Sequence, residues 1–286
     1  MIAVSGGVDS MVLLDILQQQ TGLELIVAHF DHGIRPDSAK DRQLVQQAAE
    51  RYGLLFEYGE GRLGPKASEA TARQARYAFL HAVCKKYKAE ALITAHHQDD
   101  LIETALLNLV RGTGRKGLSS LRSTPLIKRP LLRLTKQSVM AYAVKNNIVW
   151  HEDITNQDTS YLRNYIRQNI VPKLTKEARA HLVDLLTAMQ GKNRELDIEI
   201  ANYLQLQRSN WREIQKNRFI ALPHAVACEV LSEWLRLNGI KDFDRKTIER
   251  LVVAAKTLHH GQQADVNKTN YLYIDRDRLV LTARNQ

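Results

Sequence analysis

The chain has 286 residues, of which 44% are hydrophobic and 25% charged, and this composition excludes collagen-like, disordered and disulfide-rich proteins. Its two cysteines, Cys84 and Cys228, form no CxxC pair, as is typical of a reduced cytosolic compartment. We find neither a signal peptide nor an apolar run long enough to span a membrane, so we expect a cytoplasmic protein. Lys and Arg outnumber Asp and Glu by 41 to 31. The resulting net charge of +10 favours a nucleic-acid partner, although such a charge also serves solubility alone.

Short apolar runs alternate with amphipathic segments through the first part of the chain. The strand-like runs are Ile2–Val4, Leu25–Phe30, Leu54–Tyr58 and Ala91–Ala95. The helical segments are Asp9–Gln20, Ala39–Tyr52, Ser68–Lys88 and Asp99–Val110. This alternation predicts an α/β fold with a doubly wound parallel sheet.

The pattern changes after about Pro172. Helical patterns cover Thr175–Leu206, Val226–Leu237 and Thr247–Thr257, and a hairpin is indicated by Tyr271–Ile274 and Arg278–Thr282. We therefore expect a catalytic domain over 1–175 and a smaller, mainly helical accessory domain over 176–286. The accessory domain shows no catalytic motif. The conspicuous residues there are expected to pack or to lie at the surface: Trp211, Trp234, His259 and His260.

The first strand runs into a phosphate-binding motif, SGGVDS, whose residues are Ser5, Gly6, Gly7, Val8, Asp9 and Ser10. A strand, a glycine turn and a helix present backbone N–H groups and a positive helix end to an anion. The motif lacks the Lys-Ser/Thr ending of a Walker A loop. It resembles instead the pyrophosphate loop of the ATP-pyrophosphatase superfamily, whose members adenylate a carbonyl oxygen and release pyrophosphate.

A second polar cluster, HHQDDLIET at residues 96–104, follows the strand Ala91–Ala95. Asp100 and Glu103 are three residues apart and should share one face of the helix that begins there. One interpretation is helix capping by Asp99. The other, which accounts better for so many histidines and carboxylates, is a pocket for Mg²⁺ or for a substrate ammonium group. A zinc site is a weaker alternative, because no thiolate or third spaced histidine accompanies the pair.

Five stretches together resemble the tRNA(Ile)-lysidine synthase family in the family's own order. They are AHFDHGIRPDS, ARQARYAFL, AHHQDDLIETALLNLVRGTGRKGLSSL, RPLL and EDITNQDTSYLRNYIRQNIVP, within residues 3 to 172. The resemblance implies that ATP adenylates the C2 carbonyl oxygen of the wobble cytidine of a CAU-anticodon isoleucine tRNA. The ε-amine of free lysine then attacks C2, and AMP leaves.

The resemblance also implies that the accessory domain over 176–286 helps to bind tRNA, and it implies roles for individual residues. The loop Ser5–Ser10 would hold pyrophosphate, with Asp9 contacting Mg²⁺, and Ala28 and His29 would lie near adenine or ribose. Asp100 and Glu103 would receive the lysine ammonium and help to remove its proton.

Three further residues belong to the expected catalytic region. His96 would relay a proton or orient a carboxylate. Arg73 and Arg76 would stabilise the adenylate or bind the carboxylate of lysine, although they could also be solvated helix residues.

The interval Arg111–Lys136 is the expected RNA-binding segment, because it contains eight basic residues and no acidic one. They are Arg111, Arg115, Lys116, Arg122, Lys128, Arg129, Arg133 and Lys136. A solvated basic surface is the alternative. Another polar cluster is expected to border the cytidine pocket and comprises Asn156, Asp158, Arg163 and Asn164.

Two other functions remain open at this point. A tRNA thiolase or an amidotransferase-linked synthetase would share the loop, but the two isolated cysteines and the chain length argue against both. A non-catalytic, nucleotide-binding RNA-binding protein would leave the carboxylate–histidine cluster unexplained. The oligomeric state is also open, with a homodimer as one option.

Overall fold

The structure, a computed structural model, describes residues 1–33, 38–64, 67–152, 162–207 and 211–284. It divides into two compact units, Met1–Gln190 and Gly191–Gln286. The division falls within a helix that begins at Lys176.

A five-stranded parallel sheet forms the centre of the first unit. Its strands are β1 (Ile2–Ala3), β2 (Ile26–Asp31), β3 (Leu55–Glu60), β4 (Leu92–Ile93) and β5 (Ile127–Lys128). They lie in the order β3-β2-β1-β4-β5, which confirms the predicted doubly wound sheet. β5 was not predicted, since only two residues of the basic interval form it.

Seven helices lie entirely within the described residues of the first unit. They are α1 (Val8–Gln18), α2 (Ser38–Arg51), α3 (Glu69–Lys86), α4 (Gln98–Val110), α5 (Arg115–Leu118), α6 (Lys136–Lys145) and α7 (Leu162–Tyr165). A π-helical turn, Ile166–Ile170, follows α7, and 3₁₀ turns cover Pro130–Arg133 and Val171–Lys173. The next helix, α8 (Lys176–Gln207), contains the division between the units.

The helix that carries the phosphate loop is held by a buried core and by a carboxylate. Leu13 and Leu14 of α1 are fully buried, in one cluster with Val139 of α6. On the same helix, the carboxylate of Asp15 accepts hydrogen bonds from the hydroxyls of Tyr52, at 2.8 Å, and Tyr142, at 2.9 Å. Tyr142 belongs to α6, so α1 and the start of α6 are fixed relative to each other.

The second unit combines helices with a small antiparallel sheet. Its remaining helices are α9 (Lys216–Ile220), α10 (His224–Leu237) and α11 (Arg245–Thr257). Its strands are β6 (Glu213–Gln215), β7 (Gln263–Asp265), β8 (Asn270–Ile274) and β9 (Arg278–Ala283), in the order β6-β9-β8-β7. The predicted hairpin is therefore confirmed as β8 and β9, whereas the three-residue strands β6 and β7 carried no recognisable pattern.

Of the conspicuous residues of the second unit, one packs in the core and three lie at the surface. Trp234 is fully buried in the core, and its indole nitrogen donates to the carbonyl of Trp211 at 2.9 Å. The side chain of Trp211 and those of His259 and His260 are exposed.

Candidate active site

A cavity of about 710 Å³ opens at the carboxyl ends of the strands of the parallel sheet. It lies where the strand order reverses between β1 and β4, the position at which open α/β sheets bind ligands. Most of the predicted nucleotide-binding and catalytic residues line it: Ser5, Gly7, Val8, Asp9, Ser10, Ala28, His29, Arg76, His96 and Asp100. Three predicted residues, Gly6, Arg73 and Glu103, do not line it.

The phosphate loop is closed by hydrogen bonds between its own ends. The hydroxyl of Ser10 donates to the carbonyl of Gly7 at 2.9 Å and accepts from the backbone N–H of Ser5 at 3.1 Å. Gly7 occupies the N-cap position of α1, and no side chain caps the helix there. The first N–H groups of α1 are therefore presented without a competing side-chain acceptor, as an anion site requires.

Gly6 holds the loop in a conformation that other residues avoid. Its φ is +91°, and a Cβ atom at this position would lie 3.2 Å from the Cβ of Asp41. Asp41 is buried and accepts a hydrogen bond from His151 at 2.8 Å, while the backbone N–H of His151 donates to the carbonyl of Gly6 at 3.0 Å. Gly6 thus shapes the loop from behind instead of facing the ligand.

Gly6→Ala is expected to lower the free energy of unfolding by more than ~1–2 kcal/mol, which is the cost of placing a non-glycine residue in a left-handed backbone conformation. The additional loss comes from the contact with Asp41. Urea unfolding of Gly6→Ala and Gly22→Ala measures this difference. Gly22 has a φ of +80° and nothing within 4 Å of a Cβ position, so it isolates the effect of φ. Equal losses in the two variants would show that Asp41 does not restrict this position.

In the second polar cluster, a histidine caps helix α4. His97, not Asp99, is the N-cap of α4: its ring accepts from the N–H of Asp99, and Asp100 accepts from the N–H of His97 at 2.9 Å. The alternative interpretation, in which Asp99 caps the helix, is therefore wrong. Asp99 is instead paired with Arg179 of α8.

His96 is held as a neutral imidazole. Its Nδ1 lies 2.9 Å from the hydroxyl of Thr94. Burial lowers the pKa of His96 to about 4, against the attraction of Asp100, and the positive charges of Arg129 and Arg76 contribute to the lowering. At neutral pH this side chain is an uncharged imidazole that can accept or donate a hydrogen bond. It cannot act as a cationic acid at that pH.

Two carboxylates of α4, the buried Glu103 and the half-buried Asp100, are joined by an arginine that sequence reasoning did not select. Arg167, in the π-helical turn, donates to Glu103 at 2.7 and 2.9 Å and lies 3.4 Å from Asp100. Glu103 is only 1% exposed, and burial raises its pKa although Arg167 opposes the shift. The prediction that Glu103 meets the substrate directly does not fit this geometry, because Arg167 already occupies its carboxylate.

A basic residue expected to bind RNA instead lies at the phosphate loop. The ammonium of Lys136, the first residue of α6, contacts both carboxylate oxygens of Asp9, at 2.7 and 2.8 Å. On its other side, Asp9 lies 3.8 Å from Nε2 of His97, which is 3.6 Å from Asp100. A continuous series of polar and charged groups therefore connects the phosphate loop with the carboxylates of α4.

His29 lines the cavity and has one unsatisfied hydrogen-bonding atom. Its Nδ1 is engaged with the carbonyl of Val4 at 2.9 Å, and the ring stacks on Tyr58 with centroids 6.1 Å apart. The residue is only 3% exposed, yet its Nε2 has no partner among the described residues. Burial also lowers the pKa of His29, so the ring is neutral.

Three arginines surround one tyrosine at the cavity wall. Arg73 and Arg76 lie 4.9 and 5.7 Å from the ring centroid of Tyr77, and Arg129 lies beside the same residue. Burial lowers the pKa of both Arg76 and Arg129. Within the described ranges, none of the three arginines is paired with a carboxylate. Such a group of like charges would favour a bound anion.

The basic interval is not a uniform exposed strip. Arg111, Lys128 and Arg133 are exposed. Arg115, Lys116 and Arg122 are half-buried and make further contacts. Arg129 is only 8% exposed and donates to the carbonyl of Arg122, so its expected contact with an RNA backbone does not fit the structure.

The second predicted polar cluster is described only in part. The guanidinium of Arg163 is engaged by Glu69 at 2.5 Å and by the hydroxyl of Thr104 at 3.2 Å, so it ties α7 to α3 and α4 instead of lying free for RNA. Asn164 is half-buried and also has contacts. Asn156 and Asp158 lie outside the described residues.

Comparisons with known proteins agree with this fold. Residues 1–174 match the family model ATP_bind_3, a PP-loop domain, so the first unit is of the PP-loop ATP-binding class. A tRNA(Ile)-lysidine synthase of Nostoc sp. is 32% identical over 298 residues, which cover 100% of this chain and 84% of that protein. The chain belongs to the tRNA(Ile)-lysidine synthase family, whose members are carbon–nitrogen ligases built on a PP-loop domain.

Other members of the family are longer. A tRNA(Ile)-lysidine synthase of Thermus thermophilus is 41% identical over 180 residues, which cover 60% of this chain and 35% of that protein. The enzyme of Solibacter usitatus is 37% identical over 279 residues, covering 96% of this chain and 59% of that protein. No helix among the described residues is both long and apolar enough to cross a membrane.

Proposed function

We propose that this protein uses ATP to replace the C2 oxygen of the wobble cytidine in a CAU-anticodon isoleucine tRNA with the ε-amine of free lysine. The products are lysidine in the tRNA, AMP and pyrophosphate. The observation that carries the proposal is that one cavity holds both the phosphate loop and Asp100. A site for pyrophosphate and a carboxylate for an incoming amine thus face the same space.

The nucleotide would bind with its phosphates on the loop Ser5–Ser10. The N–H groups at the start of α1 would hold the pyrophosphate that leaves. The unpartnered Nε2 of His29 and the adjoining backbone of Ala28 would contact the nucleoside. Because the ring of His29 is neutral and fixed by Val4, its Nε2 can serve a nucleoside hydroxyl or ring nitrogen without the need to reorganise.

Mg²⁺ fits this site only together with the nucleotide. Among the described residues, no group of three or more His, Cys, Asp or Glu side chains could hold a metal ion. Mg²⁺ commonly takes one or two carboxylates with substrate phosphates and water, and Asp9 supplies a partly exposed carboxylate at the loop. Bound there, the ion would offset the charge that develops on the leaving pyrophosphate.

The two chemical steps would use residues at different ends of the cavity. In the first step the C2 oxygen of cytidine bonds to the α-phosphorus as the bond to pyrophosphate breaks. In the second step the lysine amine bonds to C2, loses a proton, and the C2–O bond to AMP breaks. We assign Asp100 to the amine, because it lines the cavity, and we assign Glu103 to positioning Arg167.

The three arginines around Tyr77 would stabilise the negatively charged groups of the reaction intermediates. Arg76 lines the cavity, so we place the adenylate phosphate or the carboxylate of lysine against it. His96 lies beside them as a neutral group, and we propose that it orients a reacting group by hydrogen bonding. A proton relay through a cationic His96 is disfavoured at neutral pH by its pKa of about 4.

We place tRNA contacts at the exposed basic residues Arg111, Lys128 and Arg133, and the reaction in the cytoplasm, where the tRNA is found. Charge reversal of both Arg111 and Arg133 to Glu is expected to weaken tRNA binding and to lower the slope of log Kd against log salt by ~1 for each lost phosphate contact. Filter binding across salt concentrations measures both. The matched control is a single reversal, Lys85→Glu, at the exposed end of α3, which leads away from the cavity. If Lys85→Glu weakened tRNA binding equally, Arg111 and Arg133 would no longer be assigned to tRNA contacts.

The experiment that tests the function combines two assays on one sample. Purified protein is incubated with ATP, Mg²⁺ and radiolabelled lysine, with and without unmodified isoleucine tRNA bearing the CAU anticodon. Pyrophosphate release and lysine incorporation should both require this tRNA. Pyrophosphate release without lysine incorporation would move the second substrate elsewhere. No release from a folded, ATP-bound protein would favour a non-catalytic RNA-binding role.

A further inference from the structure

Lys136 is in an unusual position for a residue of a basic interval. Its ammonium is bidentate on Asp9, a residue 127 positions earlier in the chain. Both side chains line the cavity, and both are partly exposed, at 38% for Lys136 and 29% for Asp9. The contact therefore joins the phosphate loop directly to the start of α6.

This contact competes with what the loop is proposed to bind. Both oxygens of Asp9 are engaged by Lys136, so a divalent cation bound to this carboxylate would repel the ammonium at short range. A lysine ammonium is a compact point charge with three donors, and it binds phosphate oxygens readily. Binding of a nucleotide with its cation would thus displace Lys136 from Asp9 and place phosphate oxygens beside its ammonium.

The backbone around Lys136 favours a movement of the side chain alone. Lys136 follows Thr135, whose hydroxyl caps α6 by accepting from the N–H of Ser138 at 3.1 Å. Farther along the helix, Val139 and Ala143 are buried against α1, and Tyr142 is bound to Asp15 of α1. The root of Lys136 is therefore fixed beside the loop, while its long side chain can redirect its charge.

We propose that Lys136 is a pyrophosphate-binding residue that neutralises Asp9 in the free protein and transfers its charge to the β- and γ-phosphates when the nucleotide binds. This inference rests on the proposed binding of ATP at the loop. Lys136 would pair first with Asp9 and then with the phosphates. In the absence of metal, Asp9 would hold the ammonium of Lys136 and weaken its contact with phosphate.

The test is a double-mutant cycle on the binding of inorganic pyrophosphate, measured by isothermal titration calorimetry in EDTA. Lys136→Gln is expected to weaken binding ~10-fold, as for the loss of a charge-assisted hydrogen bond. Asp9→Asn should strengthen binding several-fold in the wild-type background, because Lys136 is released. The gain should be clearly smaller when Asp9→Asn is added to Lys136→Gln, because only removal of the Asp9 charge then contributes. Lys136→Arg should keep most of the affinity.

Lys145→Gln is the matched control, since it removes one exposed lysine from the last turn of the same helix. It should bind pyrophosphate as the wild type does, and circular dichroism checks that each variant is folded. If Asp9→Asn strengthens binding equally with and without Lys136, its effect is charge removal alone and the inference is wrong. Wild-type affinity in Lys136→Gln would overturn only this inference, whereas a wild-type protein that binds no pyrophosphate would overturn the proposed nucleotide site as well.

Discussion

Asp100→Asn is expected to reduce the transfer of lysine to tRNA by ~10²–10⁴-fold while tRNA-dependent release of pyrophosphate persists. The carboxylate would be lost as the acceptor of the amine proton, but the amide oxygen of Asn can still accept from the N–H of His97 and so keep the cap of α4. Single-turnover assays that follow pyrophosphate and labelled lysine separately would resolve the two steps.

The neighbouring Asp99→Asn is the matched control for this variant. It changes the same charge by the same amount, but Asp99 is paired with Arg179 and does not line the cavity. We expect a lower melting temperature and little change in lysine transfer. Unchanged activity in Asp100→Asn would remove Asp100 from the mechanism, and an equal loss of pyrophosphate release would assign Asp100 to the adenylation step instead.

Arg167→Met is expected to destabilise the protein by about 2–3 kcal/mol at neutral pH. Removing one partner of a buried ion pair generally costs ~3–5 kcal/mol, and the value here is placed lower because the side chain of Arg167 is 36% exposed and screened by water. Glu103 would then be left buried without its bidentate partner. Urea unfolding gives the loss directly.

The pH dependence of Arg167→Met follows from Glu103. Burial raises the pKa of Glu103 in the folded protein, so its contribution to stability is fully present below the pKa of the unfolded state and is lost as pH rises through the folded pKa. Without Arg167 this pKa should rise further. The variant's deficit should therefore be largest at neutral pH and shrink as the solution is acidified towards pH ~5.

Glu103→Gln combined with Arg167→Met completes the cycle. The double variant should be more stable than Arg167→Met alone at neutral pH, because no charge is then left buried. Additive losses with no pH dependence would mean that Arg167 acts through its other contacts and not through Glu103.

Local patterns were sufficient for the parts of the protein that are contiguous in the chain. The alternation of apolar runs and amphipathic helices predicted four strands of the parallel sheet, and a glycine-rich turn between a strand and a helix predicted the phosphate loop. Each of these features depends on side-chain period or backbone freedom within a few residues. β5 was missed because it has only two residues, and α6 because its residues 139–144 form one apolar run without a helical period.

The sequence by itself determined the fold class, the phosphate loop and the family, whereas the tertiary structure decided which charged residue meets which. Arg129 is buried, Lys136 is bound to Asp9 and Arg167 to Glu103, although all three belong to stretches that look equally basic in the sequence. The physical reason is that charge is a property of a residue, but its partner is set by packing between segments distant in the chain. Asp9 and Lys136 are 127 residues apart, and no local period records that α1 and α6 lie side by side.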